Sequence, residues 1–155
     1  DEWDRVMAVN AKGTFLCCQL VAPHMITRRS GRIINIASQA GITGQAYMAH
    51  YVASKFAVVG LTQSLALELG PYDITVNAVC PGDVDTEMHV QVSQALSALR
   101  KMSRKEFVTQ AIQRCPLRRL GTPQDVADVV LFLASEAARF ITGEALNVSG
   151  GLEFH

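Results

Sequence analysis

Three observations predict an α/β domain built on a parallel sheet. Short apolar runs alternate with longer stretches of helical periodicity, the pattern of helices crossing between parallel strands. The run over residues 31–38 is Ile-rich without strict alternation, as suits a strand buried on both faces. No repeat, low-complexity tract or linker interrupts the 155 residues, so 1–155 reads as one domain with enough length for a core.

The first helix is predicted over 4–29, where Val6, Val9, Gly13, Leu16 and Leu20 recur at helical spacing. Pro23 should kink or weaken it. Gly31 stops it after the basic pair Arg28 and Arg29. The Ile-rich strand follows, then a loop with Gly41 and Gly44. A second helix is predicted over 46–69, ending at Gly70 and Pro71. Residues 74–80 form a second strand closed by Pro81 and Gly82. Residues 87–115 are long and mixed, with helix-like stretches at 92–102 and 105–112. Segments of that kind are lids or disordered, and Met88, Leu96, Leu99 and Met102 would give an apolar lid or plain helix packing. Thr122-Pro123-Gln124-Asp125 is a helix start: an N-cap, a proline in the first turn, an acid near the positive end. Val126, Val129, Val130 and Leu133 form its apolar face. Residues 144–149 make a last strand before Gly150 and Gly151.

Composition narrows the function. Hydrophobic residues at 49% and charged residues at 18% describe a globular chain. Fourteen basic residues balance fourteen acidic ones, so nothing steers the chain to nucleic acid or an anionic membrane. No uninterrupted apolar run reaches the roughly 18 residues of a membrane span. The start, Asp1-Glu2-Trp3-Asp4, has neither an initiator Met nor a signal-peptide pattern, and reads as the middle of a longer gene product. Cys17, Cys18, Cys80 and Cys115 include no C-x-x-C pair. They predict reduced, mostly buried thiols in a cytoplasmic protein, and no metal site.

Tyr51 and Lys55 stand four residues apart, on one face of the second helix. Tyrosine, with an ordinary pKa of about 10, is a poor acid or base at neutral pH. A neighbouring ammonium favours its phenolate, so a Tyr–Lys pair facing a cleft can exchange protons. Ser38 ends the first strand, at the edge where open α/β sheets place ligands; it would either hold a substrate oxygen or cap the loop. Asn10 lies mid-helix, where asparagine is a poor helix former and needs partners or bends the chain. Gly13 adds to that weakness. Tyr47 is the competing base. His50 and His89 lie near the presumed site in sequence, and each reads as incidental or substrate-touching.

Together these segments resemble the Asn–Ser–Tyr–Lys tetrad of the short-chain dehydrogenase/reductases. The residues are Asn10 in Val9-Asn10-Ala-Lys-Gly13, Ser38 in Ile34-Asn-Ile-Ala-Ser38, and Tyr51-Val-Ala-Ser-Lys55. Asn77-Ala-Val-Cys-Pro81-Gly82-Asp-Val84-Asp-Thr86 resembles the family's Pro-Gly motif, and Gly121-Thr-Pro-Gln-Asp125 and Ile141-Thr-Gly143 its C-terminal signatures. The resemblance covers essentially the whole chain. It implies a Rossmann-type doubly wound sheet, of which this chain is the C-terminal part with three strands and flanking helices. It makes Tyr51 the general acid/base, Lys55 the group that activates it and bonds the nicotinamide ribose, Ser38 the holder of the substrate oxygen, and Asn10 the holder of a relay water. Pro81, Gly82, Val84 and Thr86 would line the nicotinamide and adjoining phosphate.

The implied cofactor is NAD or NADP. The implied substrate is a secondary alcohol or ketone, first a polyol, sugar or small hydroxy-ketone; the alternative is a 3-oxoacyl thioester. A catalytically inactive truncated chain acting only in oligomerisation is the non-enzymatic alternative. The family's Thr-Gly-x-x-x-Gly-x-Gly pyrophosphate loop does not occur here. The isolated chain is therefore expected to bind cofactor weakly and to be inactive, with an open edge on its first strand. Ala53, Ala57, Gly60 and Ser64 form a small-residue stripe that either packs on the sheet or meets another copy. The family's habit implies a homodimer or homotetramer for the full-length parent.

Overall fold

The fold is described from a computed structural model, for residues 1–154. Asp1 starts the chain's first helix by accepting the Asp4 N–H at 2.9 Å. Helix α1 (Glu2–Val6) runs without a break into a wide π turn, Met7–Lys12, and on into α2 (Gly13–Arg28). The expected disturbance thus sits at Asn10, whereas Pro23 lies inside α2 and does not end it. The stop comes from Arg29, which takes the left-handed conformation at φ 49°. Gly31 is needed for a different reason: a Cβ there would run into the Met25 side chain.

Strands β1 (Gly31–Ile36), β2 (Ile74–Pro81) and β3 (Ala145–Val148) form a parallel sheet in the order β1-β2-β3. Ile33 pairs with Val76, and Ala78 with Ala145. Central β2 is buried from Ile74 through Cys80. Strand β1 is an edge strand of this sheet, covered on both faces through Ile33 and Ile34, while Ile36 at its end is 48% exposed, where burial was expected.

Helix α2 and α3 (Ala49–Leu69) cover one face of the sheet, through Cys18, Ile33, Ala66, Leu69, Ile74 and Val76. Helix α6 (Pro123–Ala134) covers the other, where Val79, Leu133 and Ala138 are buried with Ile34 and Val126 packed on them. The asparagines of β1 and β2 are paired: Asn35 donates to Thr62 Oγ1 at 2.9 Å, and Asn77 donates to the Ile141 carbonyl at 2.8 Å. The Val9, Leu16 and Leu20 stripe, periodic as a core face would be, instead points outward.

Helix α3 starts at Ala49 rather than at 46, because Tyr47 adopts φ 69° and cannot continue a right-handed helix. Residues 87–115 are neither loop nor disorder but two ordered helices, α4 (Glu87–Leu99) and α5 (Arg104–Arg114). A Ser103–Glu106 capping box starts α5. Of the expected lid residues, Met88 and Leu99 are exposed and Leu96 and Met102 half-buried. A second capping box, Thr122 with Asp125, starts α6. Arg119 grips the same carboxylate at 2.7 and 2.8 Å and, with the Thr122 bonds, holds Asp125 well below the usual carboxylate range.

Two helical runs, Glu2–Arg28 and Ala49–Tyr72, average enough hydropathy over a span's length to pass a membrane-helix test. Neither is an uninterrupted apolar run: Asn10, Lys12 and Gln19 break the first, and Lys55, Gln63 and Glu68 the second. The second is the helix that packs its Ser54, Val58, Thr62 and Ala66 face on the rest of the domain, as a core helix does.

Candidate active site

The β1 and β2 C-terminal ends, the π turn and the first turns of α3 converge on one side of the sheet. The π turn widens the helix at Asn10, whose side chain turns toward α3 and donates to Ser54 Oγ at 3.0 Å. Ser54, fully buried, donates in turn to the Tyr51 carbonyl at 2.7 Å. Asn10 is thereby tied to the backbone turn that carries Tyr51. The Asn10 carbonyl is itself bonded, accepting from Thr14 Oγ1 at 2.7 Å.

Lys55 lies one turn beyond Tyr51, with its Nζ 5.7 Å from the Tyr51 ring centre. The ammonium donates to the Ile36 carbonyl at 3.0 Å, which fixes it against the end of β1. Burial pushes Lys55 below its ordinary value, with Cys80 acting in the opposite direction. Ser38 follows two residues after Ile36. Its Oγ accepts the Ala40 N–H at 3.1 Å, so it caps a short turn while standing at the sheet edge. The capping reading of Ser38 is the one this bond shows. Gly41 lets that turn pack on α3, since a Cβ there would lie 2.8 Å from the Lys55 carbonyl. The Cys80 thiol lies against the Ser38 backbone, and burial pushes it up.

Beyond β2, the segment after Pro81 is pinned from the side. Gly82 donates to the Val148 carbonyl at 3.0 Å, and a Cβ on it would fall 2.9 Å from Ser149 Cα. The close approach that demands glycine is thus to the end of β3. Val84 pairs with Gly121 in a parallel bridge. Thr86 caps α4 by accepting the His89 N–H at 3.3 Å and leaves its side chain exposed.

The structure ties Asn10 through Ser54 to the Tyr51 turn and sets Lys55 one turn on, with Ser38 at the margin and Pro81, Gly82, Val84 and Thr86 along the neighbouring rim. Sequence reasoning gave Ser54 no role, although a serine three residues after Tyr51 on the same helix was a legible signal for it. Tyr47 is outside α3 and 66% exposed, which separates it from Lys55. His50 faces Glu2, at 3.6 Å. His89 is buried on α4, and neither ring nitrogen has a partner among the described residues. The four cysteines are free thiols, and the described residues gather no cluster of three metal-binding side chains.

The donor set suits the nicotinamide–ribose end of a dinucleotide: the Lys55 ammonium and Tyr51 hydroxyl on α3, the Ser38 hydroxyl after β1 and the Thr86 hydroxyl at the start of α4. The sequence contains no glycine-rich turn for a pyrophosphate.

A family model described as enoyl-(acyl carrier protein) reductase matches residues 1–153. A 3-oxoacyl-[acyl-carrier-protein] reductase of Aquifex aeolicus is 43% identical over 151 residues, covering 97% of this chain and 56% of its own length. This chain thus spans little more than half the length of the curated relatives it matches. Among solved structures, sorbitol-6-phosphate 2-dehydrogenase from Erwinia amylovora superposes with a TM-score of 0.95 at 36% identity, over 99% of this chain and 61% of its own. An NAD+-bound xylitol dehydrogenase gives 0.94 at 36% identity, over 97% and 60%. An actinorhodin polyketide ketoreductase with NADPH gives 0.92 at 42%, over 98% and 59%. Sequence motifs, sheet and family match agree that this chain belongs to the short-chain dehydrogenase/reductase family.

Proposed function

We propose that the full-length protein carrying this chain moves a hydride between a nicotinamide cofactor and a secondary alcohol or ketone. The observation that carries the reading is the Asn10–Ser54–Tyr51 chain of hydrogen bonds with Lys55 beside it. When bound, NAD or NADP supplies or accepts the hydride at the nicotinamide ring. In the reducing direction Tyr51 gives its proton to the substrate oxygen as that oxygen gains charge. In the oxidising direction its phenolate takes the hydroxyl proton back. Lys55 favours the phenolate through its positive charge and reaches the ribose hydroxyls. Ser38 holds the substrate oxygen in line with Tyr51. Asn10 steadies the catalytic turn and holds a water that refills Tyr51 with a proton. Pro81, Gly82, Val84 and Thr86 flank the nicotinamide and adjoining phosphate.

Two substrate classes compete. The names of the curated relatives favour a 3-oxoacyl thioester. The names of two solved neighbours favour a polyol or polyol phosphate. Screening the full-length protein over polyols and 3-oxoacyl thioesters, with both cofactors, separates them. No turnover of either class would reject the enzyme reading and favour a silent oligomerisation module.

The isolated chain, on this reading, holds only the nicotinamide–ribose side of the cofactor. Fluorescence titration with NADH and NADPH should show no micromolar binding to it, and micromolar binding would overturn that part. Ala57, Gly60 and Ser64 face outward on α3 beside exposed Phe56 and Leu67, and we assign this face to a homodimer or homotetramer contact. Sedimentation of the full-length protein as a monomer would argue against it. A cytoplasmic setting without nucleic-acid or membrane partners completes the proposal, on the neutral net charge and free thiols.

A further inference from the structure

Beside the proton-transfer residues lies a cavity of about 340 Å³ that none of them lines. Gln39, next to Ser38, and Asp83, next to Gly82, form its sheet side. Arg100 at the end of α4 and Arg114 at the end of α5 reach it from the lid, with Phe107 between them in sequence. The Arg100 guanidinium stands 5.3 Å from the Phe107 ring centre, a contact that orders it before any ligand arrives.

Among the described residues, six of the other eight arginines donate from their side chains to a protein oxygen, and Arg100 and Arg114 do not. Arg32 pairs with Glu136, Arg119 with Asp125, and Arg104 donates to Ser93. Among the described residues, neither Arg100 nor Arg114 has a carboxylate within ion-pair distance. Glu153, also in the wall, is engaged by the Thr43 hydroxyl at 2.7 Å. Two unpaired planar forks in one cavity suit a phosphate or carboxylate, and the Gln39 amide with the Asp83 carboxylate suits hydroxyl groups.

We propose that this cavity takes the anionic group of a small hydroxylated substrate, with Arg100 and Arg114 as the specificity-determining residues. The proposal rests on the oxidoreductase reading above and narrows its substrate to a hydroxylated molecule bearing phosphate or carboxylate.

The test compares sorbitol 6-phosphate, gluconate and sorbitol in the full-length protein, with a neutral 3-oxobutyryl N-acetylcysteamine thioester as a charge-free substrate. Wild type should favour one of the two anions over sorbitol by about 10- to 100-fold in kcat/KM. Whichever anion wins identifies the source of the charge. Arg100→Gln with Arg114→Gln should erase that preference through KM and leave thioester turnover unchanged, which also shows the variant is folded. Added salt should shrink the preference in wild type alone. Equal kcat/KM for charged and neutral polyols, or a preference that survives in the double variant, overturns the proposal while thioester turnover keeps the reductase reading intact. If nothing turns over, the reductase reading falls. Titration with inorganic phosphate then decides the subsite: binding lost in the double variant supports it, and binding equal in both proteins rejects it.

Discussion

On the sheet side of the cleft, Ser54 is fully buried and ties Asn10 to the Tyr51 turn, while Lys55 is anchored on the Ile36 carbonyl. On the lid side, α4 and α5 hold each other through their Ser93–Arg104 bond and capping groups, and Arg100 and Arg114 stand exposed. The first wall ties the Asn10, Ser54 and Lys55 side chains to protein acceptors. The second leaves two of its strongest donors free for something else. Proton transfer needs fixed geometry, and buried, mutually satisfied groups supply it. Selection among substrates needs groups that can still be satisfied by a ligand.

This contrast breaks most sharply at Tyr51. Tyr51→Phe should lower kcat of the full-length protein by about 100- to 10,000-fold. Tyr47→Phe should leave kcat close to wild type, because Tyr47 lies outside α3. The reverse pattern would move the base assignment to Tyr47.

Ser54→Ala comes next. It leaves Asn10 Nδ2 without its acceptor and removes a buried hydroxyl bond, which should destabilise the fold by about 1–3 kcal/mol in denaturant melts. The lid counterpart is Ser103→Ala, which removes the α5 capping box. It should cost about 1 kcal/mol, read as faster amide exchange in α5.

The smallest effect is a pH slope. Burial lowers Lys55 in the folded chain, so the unfolded chain binds that proton more tightly. Stability from this group therefore rises with pH between the lowered folded value and the unfolded 10.5, and is missing below that window. Lys55→Met should flatten that alkaline rise in pH-dependent melts; an unchanged slope would mean that Lys55 is not desolvated.

Much of this was legible in the sequence where one residue type has one physical use. The Thr122-Pro123-Gln124-Asp125 start predicted α6 to the residue, since capping is local chemistry. The Asn10 disturbance was legible as weakness, though its π-turn form was not, because the form depends on Ser54 across the interface. The start of α3 was set too early because nothing in Tyr47 announces a left-handed backbone. The close approach of Gly82 to Ser149 was not legible, because Ser149 lies 67 residues away in sequence and comes near only through β2–β3 pairing. The small-residue stripe on α3 could not be oriented from spacing alone, because α3 is apolar on nearly all sides. Its buried face is Ser54, Val58, Thr62, Ala66 and Leu69, and the stripe lies outside it.

The division between the two walls is tested most directly by steady-state kcat and KM for Ser54→Ala and Ser103→Ala in the full-length protein, on one turned-over substrate. The account predicts that Ser54→Ala lowers kcat with KM nearly unchanged, and that Ser103→Ala raises KM with kcat nearly unchanged. Equal effects of both variants on both constants would contradict it.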